Sequence, residues 1–444
     1  MASTQAVAQF IESRPLNRFH LRTFLIGGSG YFFDALDVAS LSFIIPVLVH
    51  AWHLTLTQTG EVGSSTFIGY FFGALLAGFL GDKIGRKPVM LLGLVIYCVA
   101  SVACALSLGI QSFMLLRGIS GFGVGIESVI IAPYLTEFVP TCWRGRFAGG
   151  MASFMSFGFL AAALLGYAFI PQGPNGWRIF TALCGAPLLL APIWMKFLRE
   201  SPFWLASQGR LPEASTILQD IYGETLSAKF SDPEQKVTAS SSFRELISKE
   251  TLYKFVSINC VWFFFMFSYY AFFTWIPQLL VLNGTSLSNS IYYSIATFSE
   301  QIPGYFTASL LNDRLGTHRV LMLYISGAVL TCLGIALVPG ITAIRLGSLS
   351  LSFFLNGCIA ATYAFTPFVY PVALRAKGMG IASSIGRIGA VVAPFLLGQV
   401  YAVSGLRGVF LMITLGLFLV ALSAAFIVHT IRQNRKHVPN FNQK

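Results

Sequence analysis

Apolar residues in this chain are grouped into long, nearly unbroken runs separated by short polar gaps. A helix crossing about 30 Å of hydrocarbon needs roughly 20 such residues. On that scale the chain predicts twelve spanning helices: 23–49, 58–81, 88–107, 112–138, 147–170, 178–198, 253–281, 288–311, 319–339, 343–371, 379–403 and 407–430. The one long polar stretch, 199–252, separates six spans from six. The expected architecture is an all-α membrane protein. Two six-helix bundles, 1–198 and 253–430, are joined by a linker and followed by a tail at 431–444.

Composition agrees. The 444 residues are 55% hydrophobic and 10% charged, whereas soluble domains carry about 25% charged residues. A single soluble core also stops growing near roughly 250–300 residues, so this much apolar surface calls for lipid. The net charge of +12 does not point to nucleic acid, because the cations lie in the gaps between spans. With the N-terminus inside, only Arg178, Arg345 and Arg407 fall at outer edges, and Arg117 and Arg387 lie within spans. Every other lysine and arginine is then cytoplasmic, as the positive-inside rule requires. Both termini are expected inside. Residues 1–22 are polar, with Arg14, Arg18 and Arg22 ahead of the first span, which acts as its own insertion signal.

The seven cysteines are scattered singly and read as packed thiols. No zinc spacing, nucleophile triad or phosphate-cradling loop is present, so no metal, cofactor, enzymatic activity or built-in ATP motor is expected. The expected partners are the bilayer, a small organic molecule and protons, with the protein acting as a monomer.

Charges inside a membrane are expensive and mark function. They are few here: Asp34, Asp37, Arg117, Glu127, Glu300 and Arg387. Asp34 and Asp37 are three apart and share a helix face. Two close carboxylates in low dielectric do not both ionise, which suits a group that takes and releases a proton. The alternative is a hydrogen bond to a neighbouring helix. Arg117 needs a partner on another helix, and either aspartate qualifies. Glu127 lies ten residues further on, about 15 Å along the axis, too far to pair with Arg117. The run Gly118, Gly121, Gly123, Gly125 suits close helix packing better than a phosphate loop.

The halves repeat. Gly81-Asp82-Lys83-Ile84-Gly85-Arg86-Lys87 follows the second span, and Asn312-Asp313-Arg314-Leu315-Gly316-Thr317-His318-Arg319 follows the eighth. Such pseudo-symmetric parallel halves bind substrate between them near the midplane. These loops resemble the signature of the major facilitator superfamily, the first copy well and the second in degraded form. The resemblance implies a conformational latch at Gly81, Asp82, Gly85 and Arg86, and at Asp313 and Arg314. Arg199-Glu200-Ser201-Pro202-Phe203-Trp204-Leu205 resembles a motif of sugar-porter-like carriers, departing at Arg199 and Phe203. Tyr370–Arg375, Gly378–Gly380 and Gly386–Ala390 resemble the tenth-to-eleventh helix region of organic-ion carriers and synaptic vesicle glycoprotein 2-like proteins. Phe33-Asp34-Ala35-Leu36-Asp37-Val38 is similar to the bacterial niacin permease group, where aromatic acid:proton symporters carry Asp-Gly-Tyr-Asp.

The resemblance implies a proton-coupled symporter of a small organic anion in the bacterial inner membrane, with an aromatic monocarboxylate such as nicotinate as substrate. It ties Arg117 to proton coupling, in which the buried acids Asp34, Asp37 and Glu127 are expected to take part. Organic anion carriers have arginine where Arg387 stands, and cation carriers a carboxylate. A guanidinium holds a carboxylate through two parallel hydrogen bonds. The alternative for Arg387 is an ion pair with Glu300. The seventh span is crowded with aromatics, of which Tyr269 and Tyr270, with Asn259, are expected to face a ring-shaped substrate. An organic cation:proton antiporter and a sugar or polyol symporter remain as alternatives.

Overall fold

In the computed structural model, residues 2–224, 251–338, 340–370 and 374–436 are described. The rest of the expected linker (225–250), the end of the tail and positions 371–373 of the Tyr370 motif lie outside them. The described residues are almost wholly helical, and ten helices are long and apolar enough to cross a membrane.

The first ten elements are α1 (Ala2–Glu12), α2 (Arg18–Ala51), α3 (Leu56–Ile84), α4 (Arg86–Ala105), α5 (Ile110–Thr136), α6 (Thr141–Phe169), α7 (Gly176–Leu183), α8 (Ala191–Phe197), α9 (Pro202–Ser207) and α10 (Leu211–Tyr222). The next six are α11 (Leu252–Leu282), α12 (Leu287–Ser299), α13 (Gln301–Leu315), α14 (Thr317–Leu337), α15 (Ile341–Val369) and α16 (Arg375–Lys436). Counting Gly176–Phe197, which runs through α7, a 3-10 turn and α8, as one, the twelve expected spans become ten long helices for two local reasons. The eighth span is divided between α12 and α13. Pro303 has no N–H for the Ser299 carbonyl four residues back, and its ring crowds that carbonyl. The eleventh and twelfth spans run together as α16, turned at Gly405, whose φ of +57° favours glycine.

By contacts the chain forms two compact units. One comprises Met1–Ile44 and Ser65–Val237, the other Ile45–Ser64 and Thr238–Lys444. In the first unit α2 and α5 run antiparallel. A Cβ on Gly27 would meet Leu135 and Ile131, one on Gly30 would meet Glu127, and Asp37 bonds Ser120 and Arg117. Helices α3 and α5 touch backbone to backbone. A Cβ at Gly69, Gly73, Gly121 or Gly125 would overlap the carbonyl of Gly118, Phe122, Thr66 or Tyr70 respectively. The glycine run in α5 is thus a packing seam, as its spacing suggested. Outward from it, Phe72, Leu75, Phe79, Val99 and Leu115 are exposed, a surface suited to lipid and unsuited to water.

An element the apolar-run scan did not find is α1. It is short and half polar, yet Val7, Phe10 and Ile11 are buried against Ala206 and Leu218 of α9 and α10. Arg14 is ion-paired with Glu224, and Glu12 accepts from the Thr141 amide. Burial pushes the Tyr222 phenol up to about 12, so it stays a donor, here to the Phe138 carbonyl at 3.3 Å.

In the second unit α11 packs along α16, where a Cβ on Gly389 would overlap the Phe263 carbonyl. The helical hairpin end Ile45–Ser64 groups with this unit. Ser64 Oγ donates to the Val391 carbonyl at 2.7 Å, and Gly60 lies against the Pro394 carbonyl. The expected division at 199–252 keeps that hairpin with the first six spans.

Candidate functional site

The four ionisable residues predicted within the first bundle are all buried: Asp34 (2% exposed), Asp37, Arg117 and Glu127 (each 0%). Arg117 pairs with Asp37, not Asp34. Its Nη1 donates to Asp37 Oδ1 at 3.2 Å, its Nη2 to the Asp37 carbonyl at 2.9 Å, and its Nε to Thr66 Oγ1 at 3.2 Å. Ser101 donates to Asp37 Oδ1 at 2.6 Å and Ser120 to Oδ2 at 2.8 Å. Both oxygens of the carboxylate are therefore held, and the charge is matched. Ser101 and Ser120 were not singled out in the sequence, where lone serines in apolar helices carry no distinguishing signal.

Asp34 and Glu127 stand apart from that network. None of their four carboxyl oxygens has a hydrogen-bond partner among the described residues. Glu127 Oε1 sits over Gly30, at 2.8 Å from where a Cβ would lie, and its own Cβ is 3.0 Å from one built on Gly93. Glycine at both positions makes room for the glutamate.

The first latch loop is a closed ionic assembly. Arg86 pairs with Asp82 at 2.7 Å and with Glu137 at 3.4 Å. Glu200 Oε1 accepts from the amides of Arg86 at 2.9 Å and Ser201 at 2.8 Å, and Trp204 Nε1 donates to the Asp82 carbonyl at 2.9 Å. The Glu200–Trp204 motif thus caps the N-terminus of α4, where a carboxylate suits the helix dipole. Gly85, with φ +103°, lies directly against Glu200, and Gly81 lies against the Arg86 side chain. Gly85→Ala is expected to lose about 1–3 kcal/mol to backbone strain alone and to displace Glu200. Thermal unfolding of purified protein in detergent checks this, with Gly78→Ala, which meets nothing within 4 Å, as the neutral control. In the second copy Asp313 and Arg314 are exposed and take part in none of the ion pairs found for Arg86.

In the second unit Tyr269 is buried. Its ring lies 4.5 Å from that of Phe273 and 5.2 Å from that of Tyr270. Tyr270 is half-buried. Asn259 gives its amide to the Phe255 carbonyl at 2.7 Å and keeps Oδ1 without a partner among the described residues. Trp262 donates to Thr366 at 2.9 Å and meets Tyr363 edge-on. Most of the aromatic crowd is ordinary packing. Gln278 and Gln301, buried with side-chain oxygens unpartnered among the described residues, were not singled out in the sequence. Glu300 lies half-buried at the α12–α13 break, and Arg387 half-buried on α16 between Gly386 and Gly389.

Residues 26–439 match the family described as sugar (and other) transporter. The chain belongs to that family. It is thereby a multi-pass membrane transporter of the major facilitator superfamily, and not an enzyme. Its relatives include the niacin transporter NiaP of Acinetobacter baylyi, 35% identical over 93% of this chain and 94% of that protein. The 4-hydroxybenzoate transporter PcaK of Pseudomonas putida is 28% identical over 87% of each. The partially occluded, inward-open xylose transporter XylE of E. coli superposes with a TM-score of 0.75, at 19% identity, over 96% of this chain and 100% of its own. That likeness shows the fold and carries nothing about substrate. The Gly81–Lys87 loop, the acids of α2 and the arginine of α5 were singled out in the sequence. The closure of the latch by Glu200 was visible only as a quoted motif without a role.

Proposed function

We propose that this transporter carries a small aromatic monocarboxylate, of the nicotinate kind, together with protons across the bacterial inner membrane, as a monomer with both termini cytoplasmic. The observation that carries the proton coupling is the set of acids sealed inside the first unit, one paired with Arg117 and two unpaired. A bilayer-buried carboxylate without a partner among the described residues is costly and marks a functional site. Arg387 supports the anionic substrate, and Tyr269 and Tyr270 of α11 support a ring. The names of relatives that carry niacin and 4-hydroxybenzoate support the same class.

Purified protein in proteoliposomes tests this. An imposed pH gradient, acid outside, is expected to accumulate nicotinate or 4-hydroxybenzoate, and a protonophore to abolish accumulation. Uptake indifferent to the protonophore overturns the coupling. Uptake of quaternary amines or xylose in place of the carboxylates overturns the substrate class.

A further inference from the structure

We propose that the cytoplasmic end of α2 is a binding site for an anionic phospholipid of the inner leaflet, whose acyl chains lie in two grooves beside the helix and whose phosphate is held by exposed arginines. The proposal goes beyond the transport reaction. It rests on the orientation proposed above only for the choice of leaflet.

The grooves flank the start of α2. One, of about 360 Å³, lies between α2 and the start of α6. Leu16, Leu21, Phe24, Trp143 and Phe147 wall it, together with Arg146. The other, of about 280 Å³, lies between α2 and α8. Leu25, Ile26, Ile193 and Phe197 wall it, together with Arg22. Leu21 and Leu25 are exposed one turn apart on α2, and Ile193 and Met195 are exposed on α8. An apolar surface left open in this way is suited to a covering of hydrocarbon.

The cations mark where that hydrocarbon ends. Arg22, Arg146 and Lys196 lie at the ends of three expected spans, 23–49, 147–170 and 178–198, all on the cytoplasmic side. Arg22 sits over the Phe197 ring at 4.7 Å, Arg146 over the Trp143 ring at 4.9 Å, and Lys196 over the Phe197 ring at 5.5 Å. Among the described residues neither these three nor Arg18 pairs with a carboxylate. Arg18 and Arg22 are both exposed on α2, four residues apart, a spacing at which like charges repel. An anion between them removes that repulsion. Arg178, at the opposite end of the expected sixth span, is the contrast. It too sits over a tryptophan, Trp177 at 4.4 Å, but its Nη1 is committed to the carbonyls of Ala105 at 2.6 Å and Ser107 at 2.8 Å.

The walls call for hydrocarbon and the guanidinium groups for an oxyanion. A free phosphate or an acidic peptide would satisfy the cations and leave the walls against water. A zwitterionic lipid would fill the grooves but bring its own cation to the arginines. An anionic phospholipid meets both demands, and basic pockets between spanning helices on the cytoplasmic side suit such head groups. Bound there, it ties the start of α2 to α6 and α8.

Thermal unfolding of the purified transporter in detergent, titrated with phosphatidylglycerol, tests this. The melting temperature is expected to rise with the lipid, and the rise to shrink with added salt. Phosphatidylcholine is expected to give a much smaller rise. Arg22→Gln with Arg146→Gln should need about 25-fold more phosphatidylglycerol for the same rise, about fivefold for each cation removed near an anionic head group. Arg22→Lys with Arg146→Lys should keep most of the response, which separates lost charge from lost folding. A charge-matched control in the second unit, Lys254→Gln with Arg319→Gln, should respond as wild type does. Equal responses to the two lipids overturn the proposal. So does a wild-type response in the Arg22→Gln, Arg146→Gln variant, or an equal loss in the control. So does glycerol 3-phosphate that matches the lipid at equal concentration, since the site would then hold a free phosphate. The leaflet is read separately, with a membrane-impermeant maleimide on right-side-out vesicles. Cys142, exposed beside Trp143, should stay unlabelled. Labelling there, with the lipid response intact, overturns the orientation and not the lipid site.

Discussion

Arg117→Ala is expected to lower the stability of the folded transporter by about 3–5 kcal/mol, because it leaves Asp37 buried without its counter-charge. For a bundle of roughly 200 residues this corresponds to a fall of about 10 °C in the melting temperature. Asp37→Ala should lose a similar amount by stranding the guanidinium. The informative variant is the pair Asp37→Leu with Arg117→Met. Buried ion pairs are replaceable by apolar residues of similar volume at little cost or at a gain, so the double variant should recover most of the melting temperature. Transport should be absent from all three. The measurement is a double-mutant cycle by thermal unfolding in detergent. A coupling energy under about 0.5 kcal/mol, the level seen for independent sites, would mean that the 3.2 Å contact does not act as an ion pair.

Arg387→Ala is expected to weaken uptake of a carboxylate substrate by about 2–3 kcal/mol, the worth of hydrogen bonds to a charged group. That is roughly a 30- to 150-fold rise in KM at fixed turnover. Arg387→Lys should fall between, since an ammonium keeps the charge but not the planar fork. The matched comparison is nicotinate against nicotinamide. Wild type should discriminate between them, and Arg387→Ala should not. Unchanged nicotinate KM in Arg387→Ala, at normal protein levels in the membrane, would remove the anion site from this position.

Much of the fold was legible because lipid imposes a one-dimensional code. Apolar runs of fixed length located the spans, and Gly405 turns α16 within the gap expected between the eleventh and twelfth. The break of the eighth span was present in the sequence as Pro303, but an apolar-run scan does not weigh a missing N–H. Helix α1 was missed for a related reason. Its buried face is only Val7, Phe10 and Ile11, too short for a spanning signal. The candidate site was legible as a list of residues and not as an arrangement. Spacing along α2 put Asp34 and Asp37 on one face. Which of them meets Arg117 depends on how α2 and α5 are aligned, and that is set by contacts such as Gly27 on Leu135 and Gly30 on Glu127. No periodicity within a single helix carries this information. The same holds for Glu200, whose role depends on a loop more than a hundred residues earlier in the chain.

The glycine seam between α3 and α5 also bears on how this bundle handles force. Gly69 and Gly73 meet the carbonyls of Gly118 and Phe122, and Gly121 and Gly125 meet those of Thr66 and Tyr70. With glycine at one side of each of these contacts, few rotamers are available through which the joint can yield. A slip by one residue would drive a Cβ into a carbonyl, so the joint has one register and behaves as a weld. Any bending of the unit has to occur elsewhere, and a push delivered to one of these helices reaches the other undiminished.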